Sequence, residues 1–465
     1  MSEVKNKKFH FIAIGGVGMS GLAKYLLEKG YEVTGSDVQA SKYTKQLEKL
    51  GAKVSIGHNS DNINNDQTII ASSAIKEDNV ELKKAKDLGL NILHRSDLLK
   101  IIADEFSKNP DGKFIGFSGT HGKTTTSGLC SYLLEKSENK PSYVVGGIIP
   151  DLNDNARFDS ENFFIAELDE SDGTILKYRP DISVINNLEV DHVDFYTGGF
   201  EDLIKTFTTY LNNLAPEAKI IINTDCKGNL ELIKLNPNKK FISFGLKDAD
   251  YTAKNIEYKN FGSNFEVLYK GEKLTEITLS VPGIHNVYNA LAVFASLCEA
   301  GLPIDSFVNH FGSFSGMGRR FQLSAEFNGI KIIDDYAHHP SEIKTTVESA
   351  KEAISSRLIT IFQPHRYSRF KGLWNDFLSS FDKTDKLLVL DVYAASENPI
   401  EGASPEDFVK EIIHDDAEYI KGSIAQAAEQ ILPLIKSGDT VLTLGAGDIT
   451  KIGVLLQEEY SKITK

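Results

Sequence analysis

Twice in this chain an apolar strand runs straight into a glycine turn that opens a helix, and this most restricts what it can fold into. FHFIAI (residues 9–14) leads into Gly16-Val17-Gly18-Met19-Ser20-Gly21, and KFIGFS (Lys113–Ser118) leads into Gly119-Thr120-His121-Gly122-Lys123-Thr124-Thr125-Thr126. A strand that gives way to a helix within a few residues belongs to a βαβ unit, so parallel sheets with right-handed crossovers are expected. Apolar runs at 31–36, 52–56, 68–71 and 91–93 continue the first block. Those at 142–145, 163–168, 182–186, 220–223 and 241–244 continue a second. A third block has runs at 331–334, 358–362, 386–391 and 440–444, with helices expected at 341–350, 367–381, 405–412 and 423–436. Period-2 alternation between 249 and 280 predicts a small antiparallel addition.

The expected fold is α/β in three consecutive domains, in keeping with 465 residues. A Rossmann-like N-terminal domain spans 1–110, a central P-loop-type ATPase domain 111–320, and a Rossmann-like C-terminal domain 321–465. With 51 Lys+Arg against 65 Asp+Glu the net charge is −14, which argues against broad nucleic-acid binding and against adhesion to anionic membranes. Cys130, Cys226 and Cys298 are too scattered for a disulfide framework or a zinc pattern. Lys5, Lys7 and Lys8 before the apolar run 9–23 imitate a secretory signal. That run is short and carries four glycines, so a cytoplasmic protein is expected.

The chemistry concentrates where strands end. Gly16–Gly21 fits G-x-G-x-x-G, which brings backbone close to a diphosphate at a helix N-terminus. Asp37 ends the next strand, about 20 residues on, where a carboxylate meets a ribose hydroxyl. The motif alone suggests NAD but does not distinguish it from another diphosphate such as a UDP-sugar. The second turn is a shortened P-loop, G-x-x-G-K-T, in which Lys123 would meet the β/γ-phosphates of ATP and a hydroxyl would hold Mg²⁺. Glu167, Asp169, Glu170 and Asp172 cluster after the strand at 163–168, and hard carboxylate oxygens suit Mg²⁺. Asp191, His192 and Asp194 follow the strand at 182–186 as candidates for a second metal. His338 and His339 end one strand of the third block, and His365, Arg366 and Arg369 end the next. Arginines at i and i+3 can clamp a carboxylate or phosphate.

Taken in series, these segments resemble the Mur ligase family. GGVGMSGLA, SSAI, GTHGKTTT, ELDESDGT, NLEVDHVDFY, GIHNVYNALA, GMGRRFQ, DDYAHHPSEI, FQPHRYSR, DVYAASENPIEG and GAGDI appear in the family's order across essentially the whole chain. The resemblance implies an ATP-dependent ligase of cell-wall peptidoglycan synthesis, working through an acyl phosphate on UDP-N-acetylmuramate. His121 resembles both the member that adds L-alanine and its tripeptide-adding recycling relative, and GGVGMSG and HRYSR favour the first. The alternative is the recycling member that adds a murein tripeptide.

By the same resemblance, Gly119, Thr120, His121, Gly122, Lys123, Thr124 and Thr125 hold the ATP phosphates. Thr124 and Glu167 hold one Mg²⁺, and His192 a second. Asn286 with His285 meets the adenine, Arg320 a phosphate and Asp335 the ATP ribose. His338, Arg366 and Arg369 face the acyl phosphate, the amine and the amino-acid carboxylate. Gly16, Gly18, Asp37 and Ser73 hold UDP, so the first glycine turn is reassigned from NAD. Lys123, His192, His338, Arg366 and Arg369 are the expected catalytic set. The expected partners are the two substrates alone, with no nucleic acid and no membrane, in a monomer or weak homodimer.

Overall fold

The computed structural model describes residues 7–463 apart from 107, 110, 191–194, 260 and 261. Asp191, His192 and Asp194 therefore lie outside the described residues. Three sheets are present. The first is five-stranded and all parallel, in the order Lys53–Ile56, Glu32–Asp37, Lys8–Ile12, Thr68–Ala71, Ile92–His94. Its order reverses at the first strand, the switch point where dinucleotide folds bind their ligand.

The second sheet has ten strands. At its centre Ile182–Ile185, Lys113–Ser118, Phe163–Glu167 and Ser142–Ile149 lie side by side and parallel. At one end stands Asp154–Arg157, an antiparallel edge strand that its polar sequence, DNAR, does not announce. At the other end are Tyr251–Lys259, Gly262–Tyr269 and Glu272–Leu279. Lys270 and Gly271 both have positive φ (50° and 88°), the two-residue hairpin turn that suits the right-handed twist of the flanking strands.

The third sheet has six strands, in the order Gln322–Phe327, Ile330–Asp335, Thr440–Leu444, Leu358–Phe362, Lys386–Leu390, Ala417–Ile420. The outermost, Gln322–Phe327, is antiparallel, and the others run parallel. The helix expected over 367–381 is instead two, Tyr367–Gly372 and Trp374–Leu378. Leu373 between them has φ −115°, ψ 24°, outside the helical region, and this one residue separates the two.

The chain divides into two compact units. One comprises 1–254, 267–275 and 288–311; the other comprises 255–266, 276–287 and 312–465. The first unit contains the first sheet and the parallel centre of the second. Their joint core explains why. Phe106 stacks on Phe164 (4.9 Å) and Tyr25 meets Phe158 and Phe164 edge-on.

The helix Val17–Glu28 lies against the edge strand. A Cβ at Gly21 would stand 3.0 Å from Asn155 Nδ2 and 3.3 Å from Ala156 Cβ, tighter than ordinary contact, so glycine suits this close approach. Lys24, 6% exposed, donates to Glu28 (2.5 Å) and the Ala156 carbonyl (2.7 Å) and forms an ion pair with Asp154 (2.7 Å). Glu28 in turn accepts from Phe158 N–H, and Asn155 Nδ2 donates to the Val17 carbonyl. Among the described residues no helix is long and apolar enough to cross a membrane.

Candidate active site

In the first unit, the loop after Lys113–Ser118 is built on two glycines in left-handed backbone, Gly119 (φ 121°) and Gly122 (φ 81°). A Cβ at Gly119 would meet the Asn187 carbonyl at 2.8 Å, and one at Gly122 would meet Asn289 Oδ1 at 2.7 Å. Asn187 Oδ1 accepts from His121 N–H (2.8 Å), and Thr120 Oγ1 both accepts from Glu189 N–H and donates to its carbonyl. The loop is thus pinned to the segment after Ile182–Ile185. The sequence gives no periodic signal for Asn187 or Asn289, which matter only because the fold brings them against the turn.

Lys123 opens the helix Lys123–Lys136. Its ammonium donates to the Gly119 and Thr120 carbonyls (2.7 and 3.2 Å) and to Glu170 (2.9 Å). Burial works against its charge, but the carboxylates of Glu170, Asp169 and Glu167 outweigh burial and hold it above the usual lysine range. Thr124 Oγ1 donates to Glu167 Oε2 (2.9 Å), which also accepts from Gly146 N–H (3.0 Å). Thr125 is buried in the same first helical turn. Lys123, Thr124, Glu167 and Glu170 are therefore one cluster at the carboxyl ends of adjacent strands. A hydroxyl and a carboxylate meeting there form an oxygen-only donor pair, which fits a hard divalent ion such as Mg²⁺. Among the described residues no group of three or more His, Cys, Asp or Glu suited to a metal is present.

At the carboxyl edge of the first sheet, Gly16 caps the helix Val17–Glu28 and Asp37 Oδ2 accepts from Gly15 N–H (2.9 Å). Ser73 follows Thr68–Ala71 and is exposed, its Oγ 3.4 Å from His94 Nε2. Gly16, Gly18, Asp37 and Ser73 thus sit at the ends of three neighbouring strands. One residue missed in the sequence stands among them. Arg95 has Nη1 3.1 Å from where a Gly18 Cβ would lie and Nη2 3.4 Å from Asp169.

In the second unit, Asp335 ends Ile330–Asp335, accepts from the Phe321 and Ala337 N–H groups, and is pushed up to about 6 by burial. Arg320 lies over the Tyr336 ring (5.3 Å) and 3.7 Å from Glu342. His285 is pushed down to about 4 by burial and by Arg320, and its Nε2 is 3.1 Å from Asn286 Nδ2. His285, Asn286 and Asp335, expected to meet the nucleoside, and Arg320, expected to meet a phosphate, thus belong to one neighbourhood with Glu342.

His338, His365 and Arg369 form a second group. The two rings are 5.9 Å apart, and Arg369 Nη1 is 3.2 Å from His365 Nδ1. Burial lowers His338, and His365 is pushed down to about 4 by burial, His338 and the two arginines. Arg366 turns elsewhere, its Nε donating to Glu397 (2.6 Å) from a residue with φ 68°. Glu397 and Tyr393, which stacks on His365 (5.5 Å), come from DVYAASENPIEG, a segment quoted for the resemblance but given no site residue.

Three family models match in order: Mur ligase family, catalytic domain (8–107), Mur ligase middle domain (117–297), and Mur ligase, glutamate ligase domain (319–447). The chain is 39% identical over 458 residues to UDP-N-acetylmuramate–L-alanine ligase of Geotalea daltonii, covering 98% of each. It is 38% identical over 454 residues to the ligase of that name from Geobacter sulfurreducens, covering 97% of this chain and 96% of that one.

Among solved structures, UDP-N-acetylmuramate–alanine ligase of Thermotoga maritima superposes with TM-score 0.82 at 27% identity, covering 98% of this chain and 99% of that one. A MurF ligase of the same organism, in complex with ADP, shares the fold at 19% identity (TM-score 0.63, covering 95% and 98%). The P-loop cluster, the Rossmann edge and the histidine–arginine group thus sit in a chain matched from end to end by three successive models and by full-length relatives: it belongs to the Mur ligase family.

Proposed function

We propose that this enzyme joins L-alanine to the carboxylate of UDP-N-acetylmuramate with ATP, forming ADP, phosphate and UDP-N-acetylmuramoyl-L-alanine. The observation that carries it is near-full-length similarity to ligases of that name, at 37–39% identity. The domain at 1–110 would hold UDP through Gly16, Gly18, Asp37 and Ser73. The domain at 111–320 would hold the ATP phosphates, and 321–465 the amino acid and part of the nucleoside.

A carboxylate is a poor acyl donor until phosphate becomes its leaving group. The muramate oxygen attacks the γ-phosphorus and ADP leaves; the alanine amine then attacks the acyl carbon, loses a proton, and phosphate leaves. Lys123, held charged by its carboxylates, would neutralise the β/γ oxygens while the 119–122 loop orients them. Thr124 and Glu167 would hold a Mg²⁺, which would supply further charge neutralisation there, and His192 is proposed as ligand to a second ion. His338 and His365, both neutral at pH 7, leave Arg366 and Arg369 as the cations for the alanine carboxylate. Asn286, with His285, would meet the adenine, Arg320 a phosphate and Asp335 the ribose.

We assign the enzyme to cytoplasmic peptidoglycan precursor synthesis, as a monomer or weak homodimer. The test is phosphate release with UDP-N-acetylmuramate and each amino acid in turn, with a murein tripeptide alongside. Fastest release with L-alanine supports the assignment. Release with the tripeptide alone assigns the recycling reaction instead.

A further inference from the structure

Below the carboxyl edge of the first sheet lies a polar cluster that the ligation chemistry leaves unused. Glu81, fully buried in the first turn of the helix Val80–Asp87, accepts from Ser36 Oγ (2.5 Å), Asn62 Nδ2 (2.6 Å) and Asn59 N–H (3.1 Å). His58 Nδ1 lies 3.3 Å and His10 Nε2 3.6 Å from the same carboxylate. Burial opposes its charge, but His10 alongside and hydrogen bonds from Asn62, Ser36 and Asn59 outweigh burial and hold the carboxyl down at about 2.

Those partners fix how His58 carries its proton. A carboxylate only accepts, so the one Ser36 hydroxyl proton is committed to Glu81. Ser36 Oγ must then accept from His58 Nδ1 (2.9 Å), and the neutral ring keeps Nε2 as an acceptor. Nε2 has no partner among the described residues, and the side chain is 18% exposed. Ser36 is fully buried, which rules it out as a nucleophile and leaves the trio a positioning device. Gly57 N–H donates to the Asp37 carbonyl (2.7 Å), so the backbone just before His58 is tied to the strand end that carries Asp37.

Uracil presents N3–H, a donor, between two carbonyl oxygens; cytosine presents a bare nitrogen acceptor at the same place. We propose that His58 reads the base of the nucleotide substrate, its Nε2 accepting the uracil N3–H. The proposal rests on the first domain holding UDP with Asp37 near its ribose. Glu81 and Ser36 are then positioning residues that lock the accepting tautomer. A site built to receive a donor rejects an analogue that lacks it, because its buried acceptor is left unpaired.

The test is competition against UDP-N-acetylmuramate by UDP, N3-methyluridine diphosphate and CDP. The wild-type enzyme should favour UDP over both others by about tenfold. His58→Leu should bind UDP about tenfold more weakly and lose the preference, whereas His58→Gln, which keeps an acceptor oxygen, should retain part of it. An unchanged KM for ATP and an unchanged thermal midpoint show that the fold is intact.

A wild-type enzyme that binds all three equally overturns the proposal whatever the variants do, as does a His58→Leu enzyme that keeps the preference. Asp37→Ala separates the two layers. If it leaves all three ligands unaffected, UDP is not held at this edge and both layers fall. If it weakens all three while His58→Leu keeps the wild-type preference, only the reading of the base is wrong.

Discussion

Replacing Lys24 with methionine tests the joint between the first two sheets. The substitution keeps an apolar stem of similar length and removes two donated hydrogen bonds, to Glu28 and the Ala156 carbonyl, and the ion pair with Asp154. Asp154, whose side chain is 9% exposed, keeps the Asn155 N–H, and Glu28 keeps the Phe158 N–H. Breaking a buried pair by deleting one partner costs about 3–5 kcal/mol, and these surviving donors put the expected loss at about 3 kcal/mol. Over the roughly 290 residues of the first unit, an unfolding entropy of about 2.1 cal/mol/K per residue makes that a fall of about 5 °C in its midpoint.

The chain offers a built-in control, because its single tryptophan, Trp374, belongs to the second unit. The far-UV circular dichroism transition should shift while the part reported by Trp374 fluorescence stays put. Lys24→Met with Asp154→Asn should recover most of the loss, since no uncompensated charge remains on the strand. A single substitution that leaves the first transition within about 1 °C would refute the view that this ion pair holds the helix to the strand.

Other outcomes follow from the same geometry. Lys123→Met should abolish ADP formation, by more than about a hundredfold, and should lower the first unit's midpoint by stranding buried Glu170. Adding Glu170→Gln should restore the midpoint without restoring turnover. Gly122→Ala should raise the KM for ATP and cost about 1–2 kcal/mol, because φ 81° and Asn289 Oδ1 both oppose a Cβ there.

Asp335 gives a pH signature. Its folded pKa of about 6 lies above the unfolded 3.8, so between those values the native state holds a proton that the unfolded chain has released. Stability of the second unit should therefore fall by up to about 3 kcal/mol as pH rises from 4 to 6, then stay level. Asp335→Asn should flatten that slope in denaturant melts followed by Trp374; an unchanged slope would place the titration elsewhere.

Among the strands legible in the sequence, the sharpest bounds belong to those buried on both faces. Thr68–Ala71 and Thr440–Leu444 match the expected bounds because every residue in them is buried and their apolar runs end abruptly. Gln322–Phe327, Asp154–Arg157 and Ala417–Ile420 went unseen, being short, part-polar strands at sheet edges, where alternation is weak. The site was legible wherever a motif ties chemistry to a strand end, as at Lys123, Thr124 and Glu167. Glu170 was visible only as one carboxylate of four, until the fold turned it onto Lys123.

What the sequence determined by itself was the order of the strand–turn–helix units, the glycines at 119 and 122, and the residue types at each strand end. These are local matters, since a tight turn and an apolar run constrain only their neighbours. Tertiary structure alone decided that Asp154–Arg157 receives Lys24, that Asn187 and Asn289 close around the phosphate loop, and that Glu81 sets the tautomer of His58. Each of these joins residues distant in the chain, and a buried charge acquires its partner only when packing removes water from both.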